Sequence, residues 1–266
     1  MTDYPTNRKV VDAYASHLLG SGENMAAIDL LRRHLDDATT TALDYISLIQ
    51  LESYLSLSEL VATDLAAGLM RFPQNRALRL YAAMLALNSS EYDKAISMAK
   101  QCLKLSADDI EISETWGFIG DIYHEIGEDK RAFRAYDKAL NYNPDNVAVL
   151  NNYAYFLSLL DRDLERALSM SARAIELERG NATYIDTYAW VLHRLGRNEE
   201  AKVAMRQALS LSGQKESALL AHYGDILWAL GEKFMADTYW KKAVEMGYDA
   251  EEMRLHQMKL KEDEKR

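Results

Sequence analysis

A single cysteine, Cys102, stands among 266 residues. No internal disulfide framework holds this chain together, and nothing in its cysteine usage argues for an oxidising compartment. Proline is almost as scarce, at three, and glycine numbers twelve. A sequence so poor in breakers and rich in Ala, Leu and Glu favours helices. No run approaches the roughly 18 consecutive apolar residues of a membrane-crossing helix, so no membrane insertion of this chain is expected. Lys and Arg total 31 against 41 Asp and Glu, a formal net charge of −10, and no segment gathers the cations into a patch. Nucleic acid and anionic membrane both require a positive surface, which makes neither an expected partner.

Signatures of catalysis are missing too. There is no Gly-rich phosphate loop, no H-E-x-x-H and no G-x-S-x-G. The six histidines, His17, His34, His124, His193, His222 and His256, are dispersed. His124 and His193 share a register position but sit two periods apart, too far to share a metal, and read as surface side chains. The acid pairs Asp36-Asp37, Asp108-Asp109 and Glu199-Glu200 fall in turns or at helix starts, where carboxylates favour the helix dipole. No catalytic residue, metal site or cofactor follows, and the chain is not expected to be an enzyme.

What is present is a repeat. Between Trp116 and Pro144 stand Trp116, Ile119, Gly120, Tyr123, Gly127, Ala132, Tyr136, Ala139 and Pro144. This spacing of large, small and turn residues resembles the tetratricopeptide repeat, whose period is about 34 residues. The same phase recurs as Tyr188, Ala189, Leu192, Gly196, Ala201, Met205 and Ala208, and as Tyr223, Gly224, Leu227, Gly231, Ala236, Trp240 and Ala243. It weakens upstream but stays in register. Pro5, Pro73 and Pro144 all fall at one late position, given a short insertion near Ile110.

The resemblance implies an all-α fold, a right-handed superhelical solenoid of antiparallel helix pairs. Seven repeats are expected, at 8–41, 42–75, 76–109, 113–146, 147–181, 182–215 and 217–250, with one inserted residue before Ala167. Each repeat would place helix A near its positions 1–14 and helix B near 18–30. Small residues, such as Gly120 facing Ala132, would let the axes approach, and glycines such as Gly22, Gly127, Gly196 and Gly231 would end helix A in a left-handed conformation. Cys102 takes a position normally held by alanine and reads as a small core residue. Residues 1–7 read as the tail of a preceding repeat, which makes the chain a piece of a longer repeat protein, and 251–266 as a polar capping helix and tail.

In this family the inner face of the A helices binds extended peptides or partner helices. The corresponding side chains here are Phe118, Asp121 and His124, then Asn151, Asn152 and Tyr155. Asp186, Trp190, His193 and Arg194 follow, then His222, Asp225 and Trp228. Amides suit a ligand backbone and aromatics supply anchors. Repeat domains that hold acidic chaperone tails use Lys, Arg and Asn at these positions, whereas this set is dominated by Asp, Asn and aromatics. A neutral or basic segment with apolar anchors is the expected partner.

Three roles fit: an adaptor gripping a peptide or helix, which is preferred; a regulatory or substrate-presenting module of a larger enzyme, sensor or envelope-associated protein; and a self-associating homo-oligomeric scaffold. The texture around Asn151-Asn152-Tyr153-Ala154-Tyr155 and Thr183–Trp190 resembles bacterial tetratricopeptide proteins, many of them exported or envelope-associated.

Overall fold

The computed structural model describes residues 8–213 and 215–263. The segment 1–7 with Pro5, expected to close a preceding repeat, lies outside the described residues, as does the end of 251–266. Fifteen helices and no strand occur among the described residues. They are α1 (Arg8–Gly20), α2 (Asn24–His34), α3 (Ala42–Tyr54), α4 (Ser58–Arg71), α5 (Arg76–Asn88), α6 (Tyr92–Leu103), α7 (Asp109–Glu125) and α8 (Asp129–Tyr142). Then come α9 (Val147–Leu159), α10 (Leu164–Leu177), α11 (Ala182–Arg194), α12 (Asn198–Leu211), α13 (Ser217–Ala229), α14 (Lys233–Glu245) and α15 (Ala250–Asp263). From α1/α2 to α13/α14 they form hairpin pairs with short connections, an all-α helical-repeat fold.

The turn inside each pair is set by the backbone. Each contains a residue with positive φ: Gly22, Ser56, Ser90, Gly127, Asp161, Gly196 and Gly231. The glycines adopt this conformation without steric cost. Ser56 (φ 59°), Ser90 (φ 58°) and Asp161 (φ 49°) adopt it too. Several first helices of a pair are started by a side-chain cap. Asn75, Asn146 and Asp108 accept from the backbone N–H of Leu78 (3.0 Å), Val149 (3.2 Å) and Glu111 (2.9 Å), and Asn181 accepts from Thr183 (3.1 Å) and Tyr184 (3.4 Å). These bonds satisfy amides that have no partner within the helix. The insertion near Ile110 becomes helix: α7 has 17 residues against 13 in α5, with Asp108 as its cap.

The chain divides into two compact units, one up to Ala132 and one from Phe133 onward. In the first, Ile28, Leu48, Ile49 and Leu78 are fully buried, and Gly68 lets Tyr45 approach so closely that an added Cβ would lie 3.1 Å from its ring. Cys102 is buried, and burial pushes its thiol up. The same unit buries a three-member charge cluster. Arg32 donates from Nη2 to Glu52 Oε1 (2.8 Å) and from Nη2 and Nε to Asp64 Oδ2 (2.7 and 3.0 Å). Glu52 is wholly buried and its Oε2 has no partner among the protein atoms. Burial first, and then Asp64, push the Glu52 carboxyl up to about 8, against the pull of Arg32.

The second unit centres on Ala189, Leu192, Met205, Leu220, Ile226, Leu227 and Trp240. Here the closest helix approach pairs Gly224 with the ring of Trp240: an added Cβ would overlap Cδ1 and Nε1 and lie 2.9 Å from Cε2. At this pair the glycine makes room for a large ring rather than for a small residue, so it is the fit of one big side chain that sets the spacing.

Candidate functional site

The expected site residues divide between the two units. Phe118, Asp121 and His124 stand on α7 in the first unit, all three half-buried. Phe118 packs against Ala86, Ala95, Ile96 and Ile122. His124 turns toward the next helix, where its Nδ1 donates to Asp129 Oδ1 at 3.1 Å. His193 does the same in the second unit, donating from Nδ1 to Asn198 Oδ1 at 2.7 Å. These two histidines brace the two helices of their own pair; they are not idle surface side chains. Burial lowers the pKa of His193, outweighing Asn198 and Asp225.

The remaining residues lie on α9, α11 and α13, the first helices of successive pairs in the second unit. Trp190 on α11 is only 7% exposed. Its ring stacks on His222 of α13, with centroids 4.3 Å apart and planes at 25°. The Nδ1 of His222 donates in turn to Asp186, at 2.9 Å to Oδ1 and 3.1 Å to Oδ2, while the Tyr155 ring of α9 lies 6.2 Å from the imidazole. Burial works against charge on His222, but Asp186, with help from Asp225, outweighs it and raises its pKa. Asp225 accepts from Trp240 Nε1 (2.9 Å) and from His256 Nε2 of α15 (2.8 Å), and that last bond raises His256 above its ordinary value.

Cations from the chain itself lie over both tryptophans of the set. Lys233 Nζ sits 3.5 Å above the half-buried Trp228 ring. The Arg194 guanidinium lies 5.9 Å from the Trp190 centroid and is ion-paired with Asp161. Burial raises Tyr155, followed by Asp186 and Glu252. Burial, followed by Glu252, pushes Tyr248 up to about 12. On α9, Asn151 donates from Nδ2 to Asn152 Oδ1 at 3.2 Å. Two buried polar atoms of this face, Asn151 Oδ1 and Trp190 Nε1, have no protein partner.

This is a side-chain lattice of aromatic, amide and carboxylate groups on a row of helices, with no nucleophile–base pair. Among the described residues no three His, Cys, Asp or Glu side chains converge as a metal site, and no helix is long and apolar enough to cross a membrane. The class is that of helical-repeat proteins that present a side-chain surface.

Comparison with known proteins makes the class specific. Models of the tetratricopeptide repeat match residues 113–146 and 182–215, and another such model matches 135–169. The photosystem I assembly protein Ycf3 of Synechococcus sp. (strain WH7803) is 30% identical over 119 residues, 43% of this chain and 68% of that protein. Its counterpart in strain CC9311 is 33% identical over 106 residues; the match spans 38% of this chain and 60% of the length of that relative. Among solved structures, a tetratricopeptide repeat protein from Parabacteroides merdae superposes with a TM-score of 0.68 at 18% identity, over 95% of this chain and 97% of that one. Cut9 in its complex with Hcn1 gives 0.71 at 15%, over 91% and 47%. The chain belongs to the tetratricopeptide repeat family.

Sequence reasoning missed the contributions of α15. His256 follows His222 by one repeat period of about 34 residues and occupies the same register position, a signal that carrying the phase past residue 250 would have exposed. Asp161 and Lys233, which hold or face the set, stand in the turns between helices and have no recurrent position to betray them.

Proposed function

We propose that this chain is a non-catalytic protein-interaction scaffold that grips a segment of a partner protein on the face of α9, α11 and α13. The observation that carries this reading is the pair of unpartnered polar atoms there, the donor Trp190 Nε1 and the acceptor Asn151 Oδ1, on residues each 7% exposed. Leaving a buried polar atom unpaired costs about 1–3 kcal/mol, and such atoms in a folded protein call for a reason. A partner's backbone carbonyl and amide would pair with them once the covering side chains move aside. The half-buried Tyr155 and Trp228 supply apolar anchors, and the carboxylates of Asp186 and Asp225 favour a neutral or basic segment. Similarity to assembly proteins supports a role in bringing other proteins together. The division of residues 8–250 into seven repeats, with α15 as cap, belongs to the same reading.

The test is a selection from a random-peptide library against the wild-type chain and against a Trp190→Phe/Trp228→Ala variant whose folding is checked by circular dichroism. Trp190→Phe removes the indole donor but keeps a ring, which spares the core. Peptides enriched on the wild type and lost on the variant are expected. No enrichment, or peptides indifferent to both changes, refutes the assignment.

A further inference from the structure

Two carboxylates of this face are each held by a histidine. Asp186 is 6% exposed and Asp225 7%, and their histidine partners, His222 and His256, arrive from the helix that follows in the stack. The arrangement is uneven in charge. The carboxylates whose fields meet here are Asp186, Asp225 and Glu252, since Tyr155 and Tyr248 both sense Glu252 and one or other of the aspartates. Facing them are His222, His256 and Lys259, while Arg194 is tied to Asp161 and His193 is kept neutral by burial. The raised tyrosines stay protonated at neutral pH, so the two histidines are the groups that change charge there. Trp190, with its unpaired indole N–H, stacks on one of those histidines. The neighbouring Trp228 already accommodates an ammonium group, that of Lys233, as aromatic faces do.

We propose that the face takes a lysine or arginine side chain of the partner at Asp186 and Asp225, in exchange for the histidine protons that otherwise hold these carboxylates. The proposal rests on the reading of this face as the partner-binding surface and adds the chemistry of the partner and its control. With both imidazoles protonated, each aspartate has an ion-pair partner and an incoming cation meets like charge. With both neutral, each aspartate keeps only a hydrogen bond from a neutral ring, and a permanent cation displaces that ring at a gain. Both histidines have pKa values above the ordinary histidine value. Binding of a basic segment therefore strengthens as pH rises through their titration and weakens as it falls.

The experiment is the same library selection run at about pH 5.5 and about pH 8, on the wild type, on Asp186→Asn/Asp225→Asn and on His222→Gln/His256→Gln. At the higher pH, enriched peptides should carry Lys or Arg at a fixed place between apolar residues. By proton linkage, the affinity of such a peptide, read by fluorescence anisotropy, should rise roughly tenfold or more between the two pH values. The asparagine variant, which keeps an acceptor for Trp240, should lose the basic preference but retain the apolar one. The glutamine variant should bind basic peptides equally at both pH values. Enrichment without a fixed basic residue, or a basic preference that survives in the asparagine variant or ignores pH, overturns this proposal alone. No enrichment at either pH overturns it together with the assignment of the face.

Discussion

The Glu52 carboxyl offers the sharpest quantitative test of the first unit. It lies wholly buried beside Asp64, and both carboxylates share the guanidinium of Arg32. One cation cannot neutralise two buried anions, so Glu52 keeps its proton and its pKa stands at about 8 instead of 4.5. Its folded value lies above its unfolded one. The stability linked to that proton is therefore fully present below about pH 4.5 and is lost as pH rises toward about 8. At about 1.36 kcal/mol per unit of pKa, the ceiling is roughly 4–5 kcal/mol. The Arg32 side chain is 34% exposed, and solvent screening at that end reduces the expected loss to about 2–3 kcal/mol.

Glu52→Gln removes the titration but keeps the shape and an acceptor for Arg32, while the amide donates toward Asp64 as the protonated acid does. The variant should match the wild type near pH 5 and exceed it by about 2–3 kcal/mol near pH 8. The readout is hydrogen-exchange protection of the α3 and α4 amides across that range. A local readout is needed because His222 and His256, whose folded pKa values are also raised, contribute stability to the second unit that is likewise lost as pH rises through their titration. Equal pH slopes for variant and wild type in α3 and α4 would refute the shared-proton reading.

Gly224→Ala should cost about 1–3 kcal/mol by overpacking, because the new methyl group meets the Trp240 ring, which is fully buried and tied to Asp225; urea denaturation monitored by tryptophan fluorescence measures it. Ser90→Gly should stabilise by a few tenths to about 1 kcal/mol, since it relieves the left-handed conformation of a side-chain-bearing residue; a rise in urea midpoint without a change in slope is the expected sign. Asn181→Ala should cost about 1 kcal/mol by removing the cap of α11, seen as faster exchange of the Thr183 and Tyr184 amides.

The fold was legible where repeat chemistry coincides with residue identity. The small and large positions around Trp116–Pro144, and Gly127, Gly196 and Gly231 at the turns, signal helix pairs because few other residues suit those places. The equivalent turns at Ser56, Ser90 and Asp161 were harder to read: their backbone is left-handed, but the residue is not the one that adopts this conformation most readily. The candidate face was legible as a set of positions and not as a network. Nothing in the spacing of Asp186 and His222 states that they bond, since that depends on the offset between stacked helices. Nor does the position of His193 reveal that it turns toward Asn198. The burial of Glu52 was invisible for a similar reason: a glutamate reads as surface until helices from two consecutive pairs close over it.

The longer α7 has a consequence for how such a chain tolerates change. Four residues more than α5, at about 1.5 Å each, extend the rod by roughly 6 Å at its leading end. The added length lies upstream of every contact that α7 makes through Ile119, Gly120 and Ile122, so the phase of those residues is untouched. An insertion at a helix start is silent to everything that follows, whereas the same residues placed mid-helix would rotate the whole downstream surface by most of a turn. Ile110, 58% exposed on that extra turn, thus marks a seam where the chain can be lengthened, tagged or fused to another element while α7 keeps its seat.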